Sequence, residues 1–195
     1  MDQRGPFTNG LAGVTVLAFL IVQLGGLTDR AAVVAGFIPG RIHAFAAQGM
    51  VLHVAWLPVW LTPLSATLVH GGWLHIGLNL IILVFCGRGV EQVIGGWRML
   101  LVYGVGAYVA AAAQWAADPA SAAPMIGASG AISALLAVYA VYYGQRRARA
   151  LGPIPEYVVR AIWYGLAWIG IQLLVGFAGG LDPMLAGIAI AADRK

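Results

Sequence analysis

The feature that most constrains this chain is a series of apolar runs long enough to cross a membrane. Hydrophobic residues make up 61% of its 195 residues and charged residues only 9%, a composition far from that of water-soluble domains. A crossing needs about 20 apolar residues. Because backbone groups in lipid must be paired within their own segment, each run is predicted to be a helix. The predicted fold class is an all-α polytopic membrane protein.

Glycine, proline and charged residues divide the chain into about six predicted helices within a single domain, 1–195. The predicted spans are 10–27, 73–90, 98–117, 126–143, 157–175 and a short 181–192. Between the first two, residues 30–69 are apolar but repeatedly interrupted, which favours a long loop at the membrane interface. The last apolar run, 184–192, is too short to cross a bilayer at about 1.5 Å per residue. The sixth element is therefore truncated or begins in the preceding loop.

Basic residues set the predicted orientation. Nine of the 11 lysines and arginines fall on one side when loops alternate, and only Arg30 and Arg41 fall on the other. The positive-inside rule then places the amino terminus and the loops 88–98 and 144–156 in the cytoplasm. The net charge of +4 is explained by topology, and no basic stripe with interleaved aromatic residues indicates nucleic-acid binding. The sequence implies no metal and no cofactor, and the bilayer is its predicted environment.

Three polar side chains are predicted to lie at one depth. The second and fourth spans both run inward, and His75, Asn79 and Ser129 all fall in their outer third at about 1.5 Å per residue. His75 and Asn79 are four residues apart and share a helix face. This set suits acyl transfer, with Ser129 as nucleophile and His75 and Asn79 as donors to the oxyanion.

A structural interpretation of the same residues has equal weight at this point. A serine between glycines in a membrane helix is commonly a close-packing residue, and asparagine can join helices through hydrogen bonds. A histidine near a helix start is commonly interfacial. Polar groups inside a membrane are costly, however, and three at one depth favour a site. From the residues alone, a functional role and a structural role for these three side chains have equal support.

Three motifs resemble those of the rhomboid family of intramembrane serine proteases. His70-Gly71-Gly72-Trp73-Leu74-His75-Ile76-Gly77-Leu78-Asn79 is similar to the family's second-helix motif, and Gly127-Ala128-Ser129-Gly130-Ala131 to its nucleophile motif. The segment from Gly87 to Gly95, with Glu91 inside it, is similar to its second cytoplasmic turn. The order and spacing of these three motifs, over about residues 56–145, also resemble those of the family.

The resemblance implies a six-helix bundle with a wet cavity open to the outside, where transmembrane substrate helices enter sideways and are cut. By matching position Ser129 would be the nucleophile. His75, Asn79 and the Ser129 amide would stabilise the oxyanion, and Glu91 would brace helix packing. His70, Gly127 and Gly130 would be structural motif residues.

The chain departs from the family at its general base. The family activates serine with a histidine in the sixth helix, whereas no histidine follows His75 here, and Gly180 falls at that position with Asp182 nearby. Glycine has no base, a carboxylate is a weaker base than imidazole, and using His70 or His75 would remove an oxyanion donor. Loss of the base leaves residual catalysis.

Two hypotheses follow from that departure. The first is a rhomboid-type endopeptidase with weakened turnover. The second is an inactive rhomboid-like protein that binds transmembrane clients without cutting them.

Overall fold

The computed structural model describes residues 5–42, 57–143, 152–160, 162–167 and 169–170. Six helices are bounded within these ranges: α1 Pro6–Leu24, α2 Thr28–Ala35, α3 Val59–Leu68, α4 Trp73–Ile94, α5 Gly96–Ala117 and α6 Ser129–Tyr143. Helix α3 begins and ends in 3₁₀ turns around Thr62–Ser65. Residues 156–160 and 162–167 are also helical. The all-α fold class is confirmed.

Three of these helices, α1, α4 and α5, are long and apolar enough to cross a membrane. Helices α3 and α6 are apolar but shorter. The loop 144–151, residues 171–175 of the predicted 157–175 span, and the predicted element 181–192 lie outside the described residues, as do Gly180 and Asp182.

Glycine and proline set the helix ends, which differ from the predicted spans. Helix α1 starts at Pro6 because proline is favoured in a first helical turn. Helix α4 passes the predicted end at residue 90 and stops at Gly95, whose φ is +84°. Glu91 consequently lies on a helix and not in the predicted turn.

The long interfacial loop predicted for residues 30–69 contains two short helices in its described part. Helix α2 covers Arg30, and α3 ends only five residues before α4. Helices of eight and ten residues do not produce a run of span length, so hydropathy alone does not reveal them. The two short helices frame the loop that precedes α6.

The core forms where α6 packs against α4 and α5. Its most buried side chains include Leu83, Met99, Ile132 and Leu135. Small residues allow the α5–α6 approach: a Cβ added at Gly106 would lie 2.6 Å from the Ala134 Cβ, and one at Gly130 would meet the Ala110 Cβ. The α6 helix is thereby held at a fixed distance from α5.

A short backbone pairing holds the loop before α6. The Phe37 N–H donates to the Met125 carbonyl at 3.0 Å, and the Met125 N–H donates to the Phe37 carbonyl at 2.8 Å. Two more amides extend this contact: Gly40 donates to the Ser121 carbonyl and Gly127 to the Ala66 carbonyl, both at 2.9 Å. The segment around α2 and α3 therefore positions the start of α6.

Candidate active site

Ser129 is the first residue of α6 and is partly buried. Its hydroxyl makes no hydrogen bond to any residue that the structure describes, while its carbonyl accepts one from the Ser133 hydroxyl at 2.8 Å. The first amides of a helix have no partner within the helix, and the helix dipole is positive there. This position favours negative charge beside Ser129.

Gly127 brings the α4 start against the loop that carries Ser129. Its φ of +103° is a conformation that side chains disfavour. A Cβ at this position would lie 2.5 Å from the His75 Nε2 atom. The absence of a side chain therefore lets the His75 ring lie directly against the backbone two residues before Ser129.

The surroundings of His75 indicate which of its nitrogens carries the proton. The Gly71 N–H donates to the His75 Nδ1 atom, with a long separation of 3.4 Å. A neutral imidazole that accepts at Nδ1 carries its hydrogen on Nε2. The Nε2 atom faces Gly127, so His75 presents a donor to the loop of Ser129 and not a base.

Asn79 is buried, with 3% of its surface exposed, one turn below His75. Its Nδ2 group donates to the His75 carbonyl at 2.8 Å, which leaves the second Nδ2 proton for another acceptor. Its Oδ1 atom is buried and has no partner within the described ranges. A buried amide with unused hydrogen-bonding capacity is unusual for a purely structural residue.

His70 packs beside His75, with ring centroids 5.0 Å apart. It is 1% exposed, and neither ring nitrogen makes a hydrogen bond in the part of the chain that the structure describes. Burial lowers the pKa of His70, and the proximity of His75 lowers that pKa further. The Leu68 backbone opposes the shift, although it lies outside hydrogen-bonding geometry. His70 is therefore neutral near pH 7.

Glu91 lies at the other end of α4, away from Ser129. Its Oε1 atom accepts the Phe7 N–H at 3.0 Å, and Oε2 accepts the Thr8 N–H at 2.8 Å and the Thr8 hydroxyl at 2.6 Å. This carboxylate caps α1, because it pairs the amides that a helix start leaves open.

The structure thus brings together only part of the predicted set. His70, His75, Asn79 and the Gly127 loop meet at one end of α4, whereas Glu91 lies at the other and Gly130 packs against α5. Sequence reasoning missed the Ala66 carbonyl that anchors Gly127 and the Thr8 partner of Glu91. Neither residue type signals such a contact.

Comparison with known proteins agrees with the motifs. A family model described as the Rhomboid domain matches residues 58–193. The rhomboid protease GlpG of Pectobacterium atrosepticum is 28% identical over 192 residues, which cover 98% of this chain and 59% of that protein.

Two other relatives match over shorter regions. Rhomboid-type serine protease 2 of Emericella nidulans is 28% identical over 128 residues, or 63% of this chain and 23% of that protein. Rhomboid-like protein 11, chloroplastic, of Arabidopsis thaliana is 36% identical over 84 residues, or 42% of this chain and 29% of that protein. Each match covers less than two thirds of the relative's length.

Proposed function

Because this chain belongs to the rhomboid family, we propose that it is an intramembrane serine endopeptidase that cleaves transmembrane substrates near the outer face of the membrane. Ser129 is the proposed nucleophile. The observation that carries the proposal is the His75 Nε2 atom, which lies against Gly127 in the loop leading to Ser129.

The proposed reaction begins when the Ser129 Oγ attacks a substrate carbonyl carbon. Negative charge then develops on the carbonyl oxygen, where the His75 Nε2–H, the second Asn79 Nδ2–H and the Ser129 N–H act as donors. A single donor of this kind typically contributes about 100- to 1000-fold in rate. The positive end of the α6 dipole adds to the stabilisation of the same charge.

Removal of the Ser129 hydroxyl proton is the step in which this chain differs from the family pattern. His75 carries its own proton on Nε2 in the proposed tautomer, and the sequence contains no later histidine. We propose that the proton leaves to hydroxide or to the Asp182 carboxylate and that turnover is slow as a result. The two routes differ in their pH dependence: hydroxide gives a rate that rises with pH above neutrality, whereas a carboxylate gives a plateau.

The proposed orientation places the amino terminus in the cytoplasm and Ser129 toward the outside. Its support is the distribution of basic residues. With Cys86 replaced by alanine, an impermeant thiol reagent on intact cells should label a cysteine at Ala120 and not one at Arg98. The reverse pattern would contradict this orientation.

The test of function is labelling of the full-length protein in detergent by a fluorophosphonate probe. Ser133→Ala is the matched control, because Ser133 lies one turn further along α6 and donates to the Ser129 carbonyl. Wild type and Ser133→Ala should be labelled, and Ser129→Ala should not. Folded wild type that remains unlabelled would overturn the proposal and favour a client-binding protein. Equal labelling of Ser129→Ala would assign the reaction to another residue.

A further inference from the structure

A groove of about 720 Å³ lies between α4 and α6, toward the ends of these helices that are remote from Ser129. Its lining includes Ile81, Val84, Phe85, Arg88, Gln92 and Tyr139. We propose that this groove binds an anionic phospholipid, with an acyl chain along the apolar wall and the phosphate at Arg88. The proposal does not depend on the reactivity of Ser129.

The wall of the groove on α4 is apolar and open. Ile81 and Phe85 are four residues apart on one helix face and are 66% and 63% exposed, with Val84 beside them. The twelve residues from Ile81 to Gln92 extend about 16 Å along the helix. Because α4 is long and apolar enough to cross a membrane, this exposed apolar wall is suited to contact with a lipid chain.

The floor of the groove is built from close contacts. A Cβ at Gly89 would lie 2.7 Å from the Tyr139 ring, and the Tyr143 hydroxyl donates to the Gly89 carbonyl at 3.2 Å. The rings of Tyr139 and Tyr143 stack with centroids 4.7 Å apart, and Phe85 contacts Tyr139 at 5.1 Å. These contacts fix the shape of the groove, so a ligand does not have to create it.

Arg88 lines the groove and carries a positive charge. Its Nε and Nη2 groups donate to the Asn9 Oδ1 atom at 3.0 and 2.8 Å. Because Asn9 is a neutral amide, this contact orients the guanidinium without neutralising its charge. The Nη1 group has no hydrogen-bond partner among the described residues, and guanidinium geometry matches phosphate oxygens.

The carboxylate of Glu91, on the same helix, does not pair with Arg88 in place of a phosphate. Glu91 follows Arg88 by three residues, but both of its oxygens accept hydrogen bonds from the first turn of α1. The positive dipole end of α1 offsets its charge. The groove therefore joins an apolar wall to a cation that no carboxylate of the described residues pairs. In the proposed orientation this end faces the inner leaflet, where anionic lipids attract basic residues.

Native mass spectrometry of the full-length protein in detergent tests the proposal, with phosphatidylglycerol and phosphatidylcholine added at equal concentration. Wild type should retain phosphatidylglycerol in preference to phosphatidylcholine. Arg88→Gln should lower that retention by about fivefold, the effect expected for one basic residue at an anionic lipid surface. Arg98→Gln is the matched control: Arg98 is an exposed arginine in the first turn of α5 outside the groove, and its loss should change retention by less than about twofold.

Two further variants separate lipid binding from damage to the fold. Asn9→Ala removes the partner of Arg88 but leaves the guanidinium, so lipid retention should persist. Val84→Trp fills the groove while both arginines stay, so retention should fall.

Four outcomes would overturn the proposal. These are no preference between the two lipids, equal losses from Arg88→Gln and Arg98→Gln, a loss in Asn9→Ala as large as that in Arg88→Gln, or unchanged retention in Val84→Trp. A photo-cross-linker at position 84 that reacts with residues 171–195 and not with lipid would assign the groove to the chain's own carboxyl-terminal region.

Discussion

The two ends of α4 differ in whether their buried polar groups are hydrogen-bonded. At the Glu91 end, both carboxylate oxygens are paired with the first turn of α1. At the other end, both His70 nitrogens and the Asn79 Oδ1 atom are buried without a partner in the described ranges. Because buried polar groups are costly when unpaired, the first arrangement is typical of a structural site and the second of a site that receives a ligand. The predictions below test that division.

The largest effect is expected at the paired end. Glu91→Ala removes the acceptor of two amides and one hydroxyl, so the free energy of unfolding should fall by about 4 kcal/mol. Thr8→Val, which removes only the hydroxyl contact, should cost about 1 kcal/mol. Unfolding of both variants in detergent measures the difference. A loss below about 1 kcal/mol for Glu91→Ala would show that the paired end is not structural.

Gly127→Ala is expected to damage both stability and reactivity. The φ of +103° should cost about 2 kcal/mol with a side chain, and the new methyl group would displace His75, lowering fluorophosphonate labelling by about 100-fold. Gly77→Ala is the control, because a Cβ there meets no atom within 4 Å. Equal labelling rates in Gly127→Ala and wild type would contradict the placement of His75.

Asn79→Ala should separate reactivity from stability. Labelling should fall by about 10- to 100-fold because the proposed oxyanion donor is lost. The free energy of unfolding should change by less than about 1 kcal/mol, because the same substitution removes a buried oxygen that has no partner. Thermal melting and labelling of one preparation give both values. Strong destabilisation with normal labelling would make Asn79 a structural residue.

The smallest effect concerns His70 and pH. Its pKa in the folded state lies below the unfolded value of about 6.5, so the unfolded state binds more protons as the pH falls. The neutral ring therefore contributes stability above pH 6.5, and that contribution is lost as the pH falls toward the folded pKa. Wild type should lose about 1 kcal/mol between pH 7 and 5.5, whereas His70→Gln should lose less. Identical losses would contradict the assignment.

Sequence reasoning anticipated residue types and helices better than contacts. Helix periodicity and motif spacing predict Ser129, His75 and Asn79 as a set, with the last two on one helix face. Hydropathy placed Ser129 three residues inside a span that begins at 126, whereas the positive φ of Gly127 prevents a helix from starting before residue 129. Backbone dihedrals of this kind have no counterpart in a hydropathy profile.

The sequence patterns also did not predict contacts between segments that are distant along the chain. Thr8 and Glu91 are 83 residues apart, and neither is part of a local pattern that indicates the other. The pairings of Phe37 with Met125 and of Ala66 with Gly127 use only backbone atoms. Such contacts depend on the packed arrangement of the helices, which composition and periodicity do not encode.

The backbone pairing of Phe37 with Met125 has a consequence for how the chain is made. Synthesis proceeds from the amino terminus, so the carbonyls of Phe37 and Ala66 leave the ribosome before the loop that they bind. The two carbonyls that this loop binds are therefore synthesised before the loop itself. The Ser129 loop is thus the later-made partner in both pairings, and its geometry depends on a segment that is made before it.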